Sequence, residues 1–256
     1  MAQDLPFFRG PNQLPCPLPT TEEIKAGTIV PTKRERTSAD YGHVAIVGNH
    51  LVVKYAQYIL ENEGHVLLFL EKYPSIPASR LYAMYREDDF LYRVMQLIPG
   101  ADLSKLWDEL LCNEKASICD QLREIFTQIH PRINGPFEIL ENFYLGMALH
   151  LQKQEERNGK HPWSSEWFAR HLPQALKDHS STFTHSDLLK QNIMVQELPQ
   201  SDGYSGRQFE VTGIIDWEMA GWYPRYWEYA AFFVDSFWAG EWEKKIETFI
   251  LSKQPF

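Results

Sequence analysis

The stretch His185-Ser186-Asp187-Leu188-Leu189-Lys190-Gln191-Asn192-Ile193-Met194-Val195, followed by Gly213-Ile214-Ile215-Asp216-Trp217-Glu218, decides how this chain is read. Asp187 and Asn192 stand five positions apart, and Asp216 ends a second apolar run. Asn192–Val195 reads as a short strand, QSDGYSG at 200–206 as turn chemistry, and Phe209–Ile215 as a second strand. Phosphoryl transfer needs this set of parts: a carboxylate that accepts a hydroxyl proton, an amide oxygen for a metal, and a second carboxylate between metal and phosphates. A small set of oxygen ligands suits Mg2+. Each residue alone also has an ordinary use, Asp187 as a helix cap and Asp216 as a turn residue. The joint pattern favours a shared site.

Toward the N-terminus the pattern is β-rich. His43–Tyr55, HVAIVGNHLVVKY, places two β-rich runs around Gly48-Asn49 and predicts a hairpin that ends near Lys54. Tyr58–Lys72 reads as a helix, and Leu81–Tyr85 and Leu91–Leu97 as strands stopped by Pro99-Gly100. Residues 1–20 hold five prolines and predict an extended leader rather than a helix or central strand. Thr20-Thr21-Glu22-Glu23 is a cap for a short helix through Ile24. Beyond residue 100 the periodicity is helical. Leu103, Leu106, Trp107, Leu110 and Leu111 form one stripe; Ile118, Cys119, Leu122, Ile125, Phe126 and Ile129 form the next. Residues 137–180 read as mostly helical with breaks at Pro162 and Pro173, and 227–251 as helical again. The expected organisation is a leader over 1–20, a small β-rich lobe over 21–98 and a larger helical lobe over 99–256, with a ligand cleft between lobes.

Composition narrows the function. The net charge of -9 argues against a general nucleic-acid binder, which carries a basic patch. It suits a cationic substrate, although acidic faces are usually only solvated. Cys16, Cys112 and Cys119 form no disulfide framework. On one helix Cys112 and Cys119 would lie about 10 Å apart, too far for a bridge. No secretory signal or membrane-length apolar run is visible, so a cytoplasmic, membrane-free protein is expected. Seven of eight tryptophans follow residue 160. Core is the favoured reading of the run Gly221–Trp238, with an amine-binding aromatic cage as the alternative. Trp163 and Trp167, one helical turn apart, either line a pocket or pack a helix pair.

Four ordered motifs carry a family resemblance: VVKY at 52–55, MQLIPGADLSKLWDEL at 95–110, HSDLLKQNIMV at 185–195 and GIIDWEMAGWYPRYWEY at 213–229. With them the chain resembles the aminoglycoside phosphotransferase/choline kinase branch of the protein-kinase-like fold, and within it the fungal-type phosphotransferases of unassigned substrate. The resemblance implies an α+β, bilobal protein-kinase-like fold with a hinge at 95–98. It implies ATP and Mg2+, and transfer of the γ-phosphate to a hydroxyl of a small molecule, whether amine, sugar or secondary metabolite. By position it makes Asp187 the catalytic base and Asn192 and Asp216 the metal ligands. Lys54 would hold the α/β-phosphates, oriented by Glu63 as first choice and Glu61 as second. Backbone at Gln96 and Ile98 would bond adenine, and His185 would brace the catalytic loop. The chain departs from the family pattern at Ser186, where glycine is usual, and at Leu189-Lys190, where His-Pro is usual. Lys190 would meet the γ-phosphate or point to solvent. No clear Gly-rich phosphate loop occurs, and Thr37–His43 is the best candidate for one. The rival reading is a degenerate kinase-fold protein that binds a metabolite or partner, or runs another reaction in the same cleft. A protein kinase is disfavoured, because Asp216 is followed by Trp217-Glu218 rather than Phe-Gly.

Overall fold

The fold is taken from a computed structural model, which describes residues 4–30, 42–57, 59–132, 141–159, 161, 163–175, 181–199, 206–235, 241–242 and 244–245. In chain order the first elements are β1 (Phe7–Phe8), α1 (Thr21–Lys25), β2 (Thr28–Ile29), β3 (His43–Val47), β4 (Leu51–Ala56), α2 (Asn62–Leu70), β5 (Leu81–Glu87) and β6 (Phe90–Gln96). Then follow β7 (Ala101–Asp102), α3 (Leu103–Leu106), α4 (Cys112–Arg132), α5 (Glu141–Arg157), α6 (Trp163–Ala175) and β8 (Ser181–Thr184). The last are β9 (Ile193–Glu197), β10 (Phe209–Ile214), β11 (Gly221–Pro224) and α7 (Trp227–Asp235). Contacts gather the chain into two units: Met1–Leu122 with Asp187–Ala220, and Arg123–Ser186 with Gly221–Phe256.

The first unit is built on a six-stranded antiparallel sheet in the order β1-β5-β6-β4-β3-β2. Period-2 alternation on β4 decides its faces. Leu51, Val53 and Tyr55 are buried on one side, and Val52 and Lys54 point to the other. The apolar side joins Ala45, Ala83, Tyr92 and Val94, and Ile24 of α1 packs into it. Five rings stack in sequence across this side: Phe8 on Tyr85, Tyr85 on Tyr92, Tyr92 on Tyr55 and Tyr55 on His43, at centroid spacings of 5.0–5.4 Å. Tyr85–Tyr92, Tyr92–Tyr55 and Tyr55–His43 are direct cross-strand partners. Thr20 caps α1 as expected, and Glu23 returns the contact to make a capping box. The proline-rich segment supplies the edge strand β1, and Leu14, Cys16 and Leu18 pack against the sheet's core.

Helix α2 covers the opposite side of the sheet near β5. It is shorter than the expected 58–72: it starts at Asn62, and a turn at Glu71-Lys72 follows it. Val66, Leu67 and Leu70 are buried, each contributing about 1.5–3 kcal/mol by the usual transfer scale. Gly64 lets the helix lie close, since a Cβ there would sit 2.4 Å from Met84 Sδ. The stripe from Leu103 to Leu111 is broken: α3 lasts one turn, a 3-10 turn covers Trp107–Glu109, and Leu111 is exposed. Glu114 ends that irregular stretch by accepting the Leu111 N–H at 2.8 Å.

The β9–β10 hairpin forms as expected, and β7 pairs on its other edge. Gly100, at φ +105°, permits that approach, because any Cβ would lie 2.2 Å from the Val195 carbonyl oxygen. Gln121 seals the free edge of β10, donating to Phe209 O and accepting from Val211 N, both at 2.8 Å. The expected turn at 200–205 lies outside the described residues, as do Pro162, Thr37–Tyr41 and 246–251.

In the second unit α5 packs on α6, and β8 pairs antiparallel with β11. Pro173 does not break α6, which runs to Ala175. A proline near a helix end forfeits one backbone bond and leaves the preceding turns intact. Trp222 meets Phe183 edge-on and Tyr223 stacks on Trp227 at 5.3 Å, so these rings of the 221–238 run pack on neighbours. Trp163 and Trp167 remain 65% and 44% exposed. No helix among the described residues is long and apolar enough to cross a membrane.

Candidate active site

Lys54 stands on β4, on the side of the sheet that α2 covers. Its ammonium lies 2.7 Å from Glu63 Oε1 and 2.7 Å from Asp216 Oδ1. Glu63 is 2% exposed and comes from the first turn of α2. Glu61, two positions earlier, meets Arg86 and His65 instead. Burial by itself would lower the Lys54 pKa. The carboxylates of Glu63 and Asp216 outweigh that and hold it above the ordinary lysine value, although Arg93 opposes them. The ammonium is therefore charged and aimed between two carboxylates.

Asp216 follows β10 in a left-handed conformation, φ 66° and ψ 53°. Non-glycine residues rarely sit there, and the surroundings must hold them. Three contacts do so. Trp217, fully buried, donates its indole N–H to Ile214 O at 2.7 Å. Ile215 N donates to Asn192 O at 2.9 Å, which sets Asp216 beside the start of β9. Asn62 of α2 donates its amide to Glu218 O at 2.8 Å and to Ala220 O at 3.0 Å. Further back, Ile214 N bonds Pro77 O at 2.7 Å, which ties β10 to the segment before β5.

Asp187 and Asn192 form a tight local unit. The Asn192 amide nitrogen donates to Asp187 O at 2.8 Å and to Asp187 Oδ2 at 3.1 Å. Leu189 N also bonds Asp187 O, and a 3-10 turn spans Lys190–Asn192. With its nitrogen on Asp187, Asn192 has its amide oxygen as side-chain ligand atom, one strand away from Asp216. Lys190 lies with its ammonium 5.7 Å from the centre of the Trp107 ring, a cation–π contact.

Gln96 ends β6 with its N–H on Arg80 O at 2.8 Å, so only its carbonyl can serve a ligand amine. Ile98, 8% exposed, packs where a Gly213 Cβ would clash at 2.8 Å, which sets it against β10. Lys54, Glu63 and Asp216 thus meet directly, Asp187 and Asn192 meet directly, and Ile215 links the two groups. Of the candidate phosphate loop only Gly42 and His43 are described. A separate cavity of about 220 Å³, lined by Leu106, Val195, Arg207 and Phe209 among others, contains none of these residues.

Four supporting residues escaped the sequence reading. Arg93, 1% exposed, sets Nη1 2.9 Å from Glu63 Oε2. Asn62 ties α2 to the residues after Asp216. Glu218, exposed as a residue, has its carboxyl pKa raised by desolvation and by the charge of Asp216. Glu228 of α7, 1% exposed, accepts His185 N at 2.7 Å and Ser186 N at 3.2 Å. Ser186 itself stands at φ 67°, which explains why glycine is natural there. Only Glu218 and Glu228 gave any signal in the sequence, as acids inside a quoted motif.

Asp216, Asn192 and Glu218 supply oxygen donors, which fit Mg2+, an ion that binds through few protein groups and keeps water. Among the described residues no three His, Cys, Asp or Glu side chains gather as a metal cluster.

An aminoglycoside-3'-phosphotransferase of type VIII superposes with a TM-score of 0.53 at 20% identity, over 82% of this chain and 80% of the other. The aminoglycoside phosphotransferase APH(3'')-Id from Streptomyces rimosus ATCC10970 gives 0.55 at 15% identity, over 92% and 88%. At such identities the likeness concerns the fold, which is the α+β, protein-kinase-like one. No curated protein matches the chain. Residues 49–248 match the phosphotransferase enzyme family (APH), well over half of the sequence, and the chain belongs to that family.

Proposed function

We propose that the protein transfers the γ-phosphate of ATP, with Mg2+, to a hydroxyl group of a small molecule. The observation that carries this is the Lys54 ammonium held 2.7 Å from both Glu63 and Asp216, in a chain of the phosphotransferase family. Lys54 binds the α/β-phosphates, and Glu63 fixes its direction. Asn192 and Asp216 hold Mg2+, which when bound neutralises charge on the phosphates and brings them in line. Asp187 orients the acceptor hydroxyl and takes its proton. The Asn192 amide fixes the Asp187 carboxylate through Oδ2, so the base is already aimed before the acceptor arrives. The Gln96 carbonyl and Ile98 backbone receive the adenine edge. Positioning and charge stabilisation then account for most of the rate. The acceptor is an amine, sugar or secondary metabolite, and the net charge of -9 favours a cationic one. The cytoplasm is the proposed compartment.

The test has two arms. ATP with Mg2+ raises the melting temperature of the wild-type protein, since a ligand that binds only the folded state must stabilise it. A screen with labelled ATP then identifies the acceptor, and Asp187→Asn abolishes its phosphorylation while keeping the ATP shift. No shift at millimolar ATP would favour the rival, a binding protein on a kinase fold. Undiminished turnover in Asp187→Asn would remove Asp187 from its role.

A further inference from the structure

Arg93 occupies a position that the proposed chemistry has not used. It lies directly across from Lys54 in the β4–β6 ladder, on the same side of the sheet. It is 1% exposed, and Glu63, which it faces, is 2% exposed. One buried carboxylate is therefore shared by two cations: Oε1 meets Lys54 at 2.7 Å and Oε2 meets Arg93 at 2.9 Å. Arg93 Nη1 also reaches Leu60 O at 3.4 Å, just before α2. The pair is not an optimised stabilising device. Neither Arg93 Nε nor Glu63 Oε2 makes a hydrogen bond among the described residues. Buried ion pairs often cost as much as they return, and apolar replacements frequently fold as well.

Arg93 changes the charge balance around Lys54. Glu63 alone against Lys54 would cancel the lysine, and a cancelled lysine attracts phosphate weakly. With Arg93 on the second oxygen, Glu63 is divided, and Lys54 retains attraction for another anion. In this structure that anion is Asp216. The Nη1 contact also holds the Glu63 carboxylate from its far side, and with it the direction of the ammonium.

We infer that Arg93 is a positioning residue of the nucleotide site: through Glu63 it keeps Lys54 aimed at the ATP phosphates. The inference rests on the phosphotransferase reading of Lys54. Its signature is selectivity for phosphate. A residue that only stabilises the fold affects every ligand alike, whereas Arg93 affects those that carry phosphates.

The experiment measures the affinity of Mg·ATP and of adenosine by calorimetry for wild type, Arg93→Met, Arg93→Lys, Glu63→Gln and the Arg93→Met/Glu63→Gln double variant. In Arg93→Met, Mg·ATP binding weakens about tenfold and adenosine binding stays within about twofold. Arg93→Lys, which keeps the charge, recovers most of the loss. In the Glu63→Gln background, Arg93→Met adds less than about twofold, because the two act in series. If Arg93→Met does not fold, Arg93→Gln takes its place with the same expected ATP-selective loss. Unchanged Mg·ATP affinity in a folded variant overturns the inference, as does an equal loss for ATP and adenosine. A wild-type protein that binds no Mg·ATP overturns the parent reading and this one with it. Normal wild-type binding with indifferent Arg93 variants sinks the inference alone.

Discussion

Glu228→Ala isolates a support for the catalytic loop that comes from neither the nucleotide site nor the metal residues. The Glu228 carboxylate is 1% exposed and accepts the backbone N–H of His185 at 2.7 Å and of Ser186 at 3.2 Å. These are the two residues immediately before Asp187. Ser186 is held at φ 67°, which costs about 1–3 kcal/mol unless the surroundings impose it. A hydrogen bond to a charged group contributes about 1.5–3 kcal/mol. Counting the short bond fully and the long one at about half, Glu228→Ala destabilises by roughly 2–4.5 kcal/mol. For a chain of this size each kcal/mol lowers the melting temperature by about 2–4 °C, so the midpoint falls by about 4–18 °C. Glu228→Gln loses at least half as much, because its NH2 group faces one of the two N–H donors. Below its own midpoint the Ala variant also loses about a hundredfold in turnover, the usual cost of a misplaced reacting group. Calorimetric melts, and single-turnover assays at a temperature where both proteins are folded, measure the two effects. An Ala variant that melts within about 2 °C of wild type refutes the argument, since it would mean these N–H groups do not depend on the carboxylate.

Three further outcomes are expected. Gly64→Ala sets a methyl against the Met84 thioether, which must turn within the buried core, at a cost of about 1–3 kcal/mol; a melt unchanged from wild type counts against the close packing. Ser186→Gly removes the strain at φ 67° but adds backbone entropy to the unfolded chain, so its midpoint stays within about 3 °C of wild type and turnover survives; a total loss of activity would show that the hydroxyl itself is required. The third concerns acid. Burial raises the Glu155 pKa, but hydrogen bonds from Ser165 and Ser164 outweigh this and hold it below its ordinary value. A carboxyl with a depressed folded pKa stabilises above its unfolded value, about 4.5, and ceases to do so as pH falls through the folded one. The stability difference between wild type and Glu155→Gln should therefore be present at pH 6–7, in round terms, and shrink in acid. A difference that stays constant from neutral pH down into acid, to about pH 2–3, excludes the linkage.

Much of the first unit was legible. Hairpins β3–β4 and β9–β10 announce themselves because side chains alternate with period 2 and because the turn chemistry is local. Thr20 and Glu23 reveal a capping box for the same reason: both partners lie within one helical turn. Asp187 and Asn192 were readable as parts of one site from their five-position spacing, and the 3-10 turn over Lys190–Asn192 brings their side chains together. The elements that misled are those where packing overrides local preference. Leu60 and Glu61 are good helix formers, yet α2 begins only at Asn62, whose amide reaches Glu218 O and Ala220 O. Pro173 reads as a break, but it falls in the closing residues of α6, where few bonds depend on it. Leu111 keeps the helical period and is nonetheless exposed, because the chain has already left its helix at Trp107.

The sequence by itself determined the inventory of this protein: its family motifs, their order, and the residue types that a phosphoryl-transfer site requires. It did so because those signals lie within a few residues of each other, where chain geometry leaves little freedom. Only the tertiary structure decided the partners. That Lys54 meets Glu63 and not Glu61 depends on the rotation of α2 about its axis, which Gly64 sets against Met84. That Arg93 shares Glu63 depends on the register of β4 against β6. The same register stacks rings from Phe8 to His43 across five strands, although the sequence drew attention to aromatics only at the other end of the chain. Such pairings join residues up to 162 positions apart. No local propensity encodes them, because a strand slipped by one residue would turn Lys54 and Arg93 to the opposite face.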